Sequence, residues 1–184
     1  MTVKTLEILL IILCWVIFFL YWIVSSKKTK AVKEVGMLGG NILWLLGIVL
    51  LFMLLSWLGP AYALPEVFLD IEILLVVIGT FLALWSRKAL ALNWSKDAAL
   101  IKEQQLITNG PYRFIRHPIY TGFLFMSFGT ALFTEKYLVV ILPVIFLLFL
   151  GSKLTEEEKL LEKEFGDEYG RYKSKTKALI PFIW

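Results

Sequence analysis

NGPYRFIRHPIYTG, residues 109–122, is the stretch around which the rest of the chain is arranged. It holds the only histidine, His117, between Arg116 and Pro118 and directly before an apolar run. Asn109-Gly110-Pro111 is a turn signal. Pro118 suits the first position of a helix, where a missing N–H does no harm. Residues Ile119 to Thr134 are apolar enough to form that helix. The pattern predicts His117 at a helix N-terminus on the rim of a membrane, where free backbone N–H groups and the helix dipole favour an anion. Arg113 and Arg116 add positive charge there, and Tyr112 and Tyr120 add flat faces. Such a site suits a ligand with anionic and aromatic parts. The same residue types also serve as plain anchors at the water edge of a membrane helix.

The chain as a whole is strongly apolar. Of its 184 residues, 59 % are hydrophobic, against roughly 45–50 % in a soluble domain, and the mean hydropathy is +0.75. Five apolar runs predict an all-α integral-membrane protein with one transmembrane domain spanning residues 1–184. They are Leu6–Val24, Met37–Trp57, Ile71–Leu90, Ile119–Thr134 and Tyr137–Lys153. The first is too long for the apolar region of a signal peptide. The second stops at Gly59-Pro60, and Gly36, Gly39 and Gly40 at its start suit close helix packing. Glu135-Lys136 leaves room only for a tight turn, so the last two runs form an antiparallel hairpin, with a kink expected at Pro143. Asn93-Trp94 marks the inner membrane edge. Cys14, the single cysteine, excludes an internal disulfide, and no Cys/His cluster suggests a metal site.

Orientation follows from the basic residues. With the loops after the first and third runs and the C-terminal tail in the cytoplasm, every Lys and Arg other than Lys4 and Lys136 lies on that side. Anionic lipid head groups account for the net charge of +4 without a nucleic acid. Glu66, Asp70 and Glu72 fall at the outer end of the third run, where water can reach them.

The tail, Leu154 to Phe165, has Leu154, Leu161 and Phe165 at helical spacing among charges, which predicts an amphipathic helix on the cytoplasmic surface. Thr155 and Glu158 satisfy the capping-box spacing at its start. Glu157 has no such role. The hairpin brings it beside the start of the Ile119–Thr134 helix, where a carboxylate calls for a cation or hydroxyl donors.

RHPIYTG (116–122), a membrane hairpin, the acidic triplet Glu156-Glu157-Glu158, FGDEY (165–169), Tyr172 and IPFI (180–183) follow in that order. Together they resemble the isoprenylcysteine carboxyl methyltransferase family, part of a wider group of small membrane methyltransferases that includes phospholipid methyltransferases. The resemblance covers residues 85–184 and makes 1–84 the variable helices. It implies S-adenosyl-L-methionine as cofactor, held by Gln104, Gln105, Leu106, Ile107, Tyr112, His117, Pro118, Ile119, Tyr120 and Glu157. It also implies a lipid-like or prenylated acceptor, foremost the C-terminal carboxylate of an isoprenylated cysteine. An arginine four residues before the glutamate goes with the acceptor in the family. Here Lys153 stands there as the candidate catalytic cation; it keeps the charge but loses the planar fork.

Methyl transfer from a sulfonium is an in-line displacement governed by alignment. A carboxylate acceptor needs no base, whereas a phospholipid amine needs proton loss, with His117 or Glu157 the nearby candidates. Two other classes compete: a non-catalytic membrane module and a nicotinamide-dependent membrane reductase. A transporter would carry internal repeats or broken helices, and the sequence offers only Pro143 in that direction.

Overall fold

Apolar runs bounded by Pro, Gly and charge become helices stacked side by side. The computed structural model describes residues 3–26, 51, 54–55, 57–58, 60–62, 70–90 and 105–180. Its elements are α1 (Val3–Ser26), α2 (Ile71–Leu90), a 3₁₀ turn (Gly110–Arg113), α3 (Pro118–Phe133), α4 (Tyr137–Phe165) and α5 (Asp167–Lys175). The Met37–Trp57 run lies largely outside the described residues, as do Gly36, Gly39 and Gly40, Asn93-Trp94, Gln104 and residues 181–183.

Three helices among the described residues are long and apolar enough to cross a membrane: Val3–Ser25, Ile71–Leu90 and Val139–Phe165. The chain is a polytopic membrane protein; of the five spans expected, three are met among the described residues, the Met37–Trp57 run lies largely outside them, and the Ile119–Thr134 run is too short. α3 falls short because both of its ends are fixed locally. Pro118 starts it, and the chain reverses at Glu135, whose φ is +53°. Its 16 residues reach about 24 Å at the helical rise, less than the ~30 Å of a bilayer core.

Nor is there a separate tail helix at Leu154–Phe165. α4 runs for 29 residues through Pro143 and past Lys153 to Phe165. Thr155 does not cap: its hydroxyl donates back to the Gly151 carbonyl (2.8 Å), one turn earlier. The helix ends at Gly166, whose φ of +49° suits glycine, and whose N–H donates to the Glu162 carbonyl (2.9 Å). α5 then places Asp167 and Glu168 in its first turn and Lys173 and Lys175 in its last, complementing its dipole.

α2 and α3 are antiparallel and nearly touch. A Cβ on Gly79 would lie 2.5 Å from the Gly122 carbonyl oxygen, and one on Gly122 would lie 2.6 Å from that of Gly79. A Cβ on Gly129, seven residues after Gly122, would collide with the Glu72 carbonyl. Small residues at a crossing let helices gain dispersion contact where lipid offers no hydrophobic drive. This approach also encloses Glu72, which is 5 % exposed and not at the water edge where the sequence put it. α1 packs alongside α2 through Ile11, Cys14 and Val76, then Phe18 and Ala83. Trp15 Nε1 donates to Thr130 Oγ1 (3.0 Å), tying α1 to α3. At the opposite end of α1 from Lys4, buried Arg87 donates to the Ser25 carbonyl (2.9 Å) and lies over the Trp22 ring.

α4 folds back along α3 as the hairpin required, with Leu124, Leu150 and Leu154 buried between them. Lys4 pairs with Glu135 (3.4 Å), so the α1 N-terminus and the hairpin turn share one end of the bundle.

Candidate active site

The other end is built on the 109–122 stretch. Gly110 has φ +59°, and the 3₁₀ turn it opens buries Pro111 and Tyr112. The chain then runs extended beside the tail. The Arg116 N–H donates to the Lys177 carbonyl (2.8 Å) and that of His117 to Ala178 (3.0 Å). Thr121 Oγ1 donates to the Leu179 carbonyl (2.7 Å), and the Leu179 side chain enters the Leu124 cluster. Tyr172 closes the same wall by donating to the Tyr112 carbonyl (2.8 Å).

His117 sits at the N-cap of α3, as the sequence predicts, and its imidazole makes no cap bond. The ring is nearly enclosed, 7 % exposed. Its Nε2 is 3.3 Å from Glu158 Oε1 and its Nδ1 is 3.7 Å from Glu157 Oε2. Tyr120 donates to Glu157 Oε1 (2.6 Å). The anions facing this helix start are therefore the protein's own carboxylates, delivered by the return of α4.

The capping-box spacing makes Glu158 a cap candidate, and the continuous helix removes that role. It collects Arg116 Nε (2.7 Å), Lys173 Nζ (2.8 Å) and His117. Arg116 also donates to the carbonyls of Lys173 (3.3 Å) and Thr176. One guanidinium thus clasps α4, α5 and the tail to the start of α3. The carboxylates of Glu158 and Glu162 raise the Lys173 pKa. Burial raises those of Tyr112, Tyr169 and Tyr172, the last to about 12. All three are neutral hydroxyls near neutral pH.

Gln105, Leu106 and Ile107 line a cavity with Arg116, Leu161 and Phe165. Pro118 is fully buried and Ile119 half-buried. Lys153 is half-buried one turn before Glu157 on α4 and makes no ion pair among the described residues. Sequence reasoning placed Arg116 at the site but missed its pairing with Glu158, 42 residues away. It also passed over Tyr169, which is completely buried beside the cavity.

Residues 67–168 match the phospholipid methyltransferase family. The protein-S-isoprenylcysteine O-methyltransferase of Schizosaccharomyces pombe is 34 % identical over 83 residues, 45 % of this chain and 35 % of that protein. Methanethiol S-methyltransferase 1 of Bradyrhizobium diazoefficiens is 38 % identical over 71 residues, 39 % of this chain and 24 % of that one. The chain thus spans well under half the length of these relatives. A solved eukaryotic intramembrane Ras methyltransferase, an isoprenylcysteine carboxyl methyltransferase, shares the fold at TM-score 0.63 and 21 % identity, over 81 % of this chain and 55 % of that one.

Proposed function

The chain belongs to the phospholipid methyltransferase family, and from that premise we propose that it is an S-adenosyl-L-methionine-dependent membrane methyltransferase acting on a lipid-like acceptor. The carboxylate of an isoprenylated cysteine is the foremost acceptor. The observation carrying this reading is the cluster of His117, Glu157 and Tyr120 beside the Gln105–Ile107 cavity, inside the matched segment.

The residues fit the cofactor chemically. Glu157 is a partly exposed carboxylate suited to an ammonium or ribose hydroxyls, and the cavity wall of Leu106, Ile107, Leu161 and Phe165 suits a purine. Gln104 and Tyr112 complete the set that the family resemblance assigns. When bound, the cofactor supplies an electrophilic methyl group on a sulfonium. The protein's part is to hold and align. Tyr120 fixes one oxygen of Glu157 by a hydrogen bond, and His117 Nδ1 stands 3.7 Å from the other. Lys153, one turn along α4, attracts the acceptor's anionic end and orients it. Facing this site to the cytoplasm is supported by the basic residues at its end of the bundle, opposite the Lys4–Glu135 pair.

An amine or thiol acceptor is the second reading. The His117 Nδ1–Glu157 Oε2 approach of 3.7 Å favours it, since an imidazole backed by a carboxylate can take the acceptor's proton. The test is calorimetry of the detergent-purified protein with S-adenosylhomocysteine and NADPH. A labelled-methyl assay then compares farnesylcysteine, an ethanolamine phospholipid and methanethiol. Binding of S-adenosylhomocysteine with its loss in Glu157→Gln is expected. Binding of NADPH alone would overturn the reading.

A further inference from the structure

The two ring nitrogens of His117 meet different neighbours. Nε2 is 3.3 Å from Glu158 Oε1, within hydrogen-bond reach, whereas Nδ1 is 3.7 Å from Glu157 Oε2 and beyond it. Glu158 has no proton to offer. Its Oε1 accepts from Arg116 Nε (2.7 Å) and its Oε2 from Lys173 Nζ (2.8 Å), so the carboxylate lies between two cations and acts only as an acceptor. The proton of the His117–Glu158 contact therefore sits on Nε2. A neutral imidazole carries one N–H, and the bond made at one nitrogen decides what the other can do. A second proton would add a cation to a cluster whose charges already cancel, Arg116 and Lys173 against Glu157 and Glu158. Glu162 shares Lys173 from the solvent side, where water screens it. Tyr120 donates to Glu157 Oε1 (2.6 Å) and brings no charge.

We propose that Glu158 is a positioning residue: it holds His117 as the Nε2–H tautomer and leaves the Nδ1 lone pair facing the Glu157 carboxylate. Glu157 is the more exposed of the two acids, 23 % against 12 %, so the cluster is more open on the Nδ1 side. Two acceptors 3.7 Å apart there select a ligand group that donates to both, an ammonium or adjacent hydroxyls, over one that only accepts. The identity of that ligand rests on the methyltransferase reading above; the tautomer does not.

Because the chain has a single histidine, NMR of detergent-purified protein labelled at both ring nitrogens of histidine reads the tautomer without ambiguity. The free protein at neutral pH should show one ring N–H proton, far downfield as in a bond to a carboxylate and coupled to Nε2, with Nδ1 bare. A proton on Nδ1 alone, or on both nitrogens, would overturn the proposal. Glu158→Gln should move that signal upfield or lose it to exchange with water, and Glu157→Gln should keep it. An unchanged signal in Glu158→Gln, or its loss in Glu157→Gln, would also overturn the assignment. If Glu158→Gln does not fold, the wild-type and Glu157→Gln spectra decide the matter by themselves. Saturating S-adenosylhomocysteine should shift Nδ1 more than Nε2, and the reverse order would refute Nδ1 as the ligand-facing nitrogen. Failure of the wild-type protein to bind that ligand would sink the methyltransferase reading and leave the tautomer result standing.

Discussion

Glu158→Gln keeps the shape of the side chain and removes its charge, and the structure sets what that costs. The carboxylate faces Arg116 (10 % exposed), His117 (6 % exposed) and Lys173 (40 % exposed). Removing one member of a buried ion pair costs about 3–5 kcal/mol, which is the ceiling here. Arg116 retains two carbonyl acceptors, on Lys173 and Thr176. Water replaces the exposed Lys173 contact at less than about 1 kcal/mol. The expected loss is therefore about 2–4 kcal/mol, mostly from two charge-assisted bonds. Glu157→Gln is the internal control. The amide oxygen can still accept from Tyr120, and His117 Nδ1 at 3.7 Å is beyond hydrogen-bond range, so about 1 kcal/mol or less should go. Unfolding titrations in mixed dodecyl maltoside and SDS micelles measure both. The reasoning fails if Glu158→Gln lies within about 0.5 kcal/mol of wild type, the range of an ordinary surface change, or if the two variants cost the same.

Gly122→Leu should separate α2 from α3 and reduce the yield of folded protein on gel filtration, because its Cβ already meets the Gly79 carbonyl. Gly151→Ala, with nothing within 4 Å of its added carbon, should be neutral or raise the thermal midpoint slightly. Lys153→Ala should raise the KM for a carboxylate acceptor about tenfold, as the loss of one ionic contact would, and leave S-adenosylhomocysteine affinity unchanged in calorimetry. Alkaline pH should destabilise the fold. Tyr172 is held up to about 12 in the native state, so its contribution is complete below the unfolded value near 10 and declines as pH rises from there through about 12. Between pH 10 and 11 that amounts to about 1 kcal/mol, with Lys173, also raised, adding in the same direction. Tyr172→Phe should flatten the loss, read as the midpoint against pH.

What the sequence disclosed was what local chemistry dictates. Gly110-Pro111 and Pro118 impose a turn and a helix start wherever they stand, so the 3₁₀ turn and the N-cap position of His117 followed directly. Two residues between apolar runs force a hairpin, and that sufficed to bring His117 and Glu157 together. Thr155-x-x-Glu158 misled because a capping box and a mid-helix Thr bonding backward share the same letters. Only the geometry of the preceding turn separates them. Glu158 was illegible as a hub because its donors come from α3's start and from α5, and nothing local to 158 announces them. Gly122 and Gly129, seven apart in an apolar run, did carry a packing signal, but their counterpart at Gly79 is visible only once the helices are laid antiparallel.

The unequal lengths of the two hairpin arms bear on how the protein meets its lipid. His117 rides on the 16-residue arm and both carboxylates on the 29-residue arm. Changing the acyl-chain length of the bilayer alters the tilt that the longer arm adopts far more than that of the shorter. The imidazole and its carboxylates would then slide past one another, with the Arg116 clasp as the restraint. Turnover measured across vesicles of graded thickness should pass through an optimum, and loosening the clasp should sharpen it.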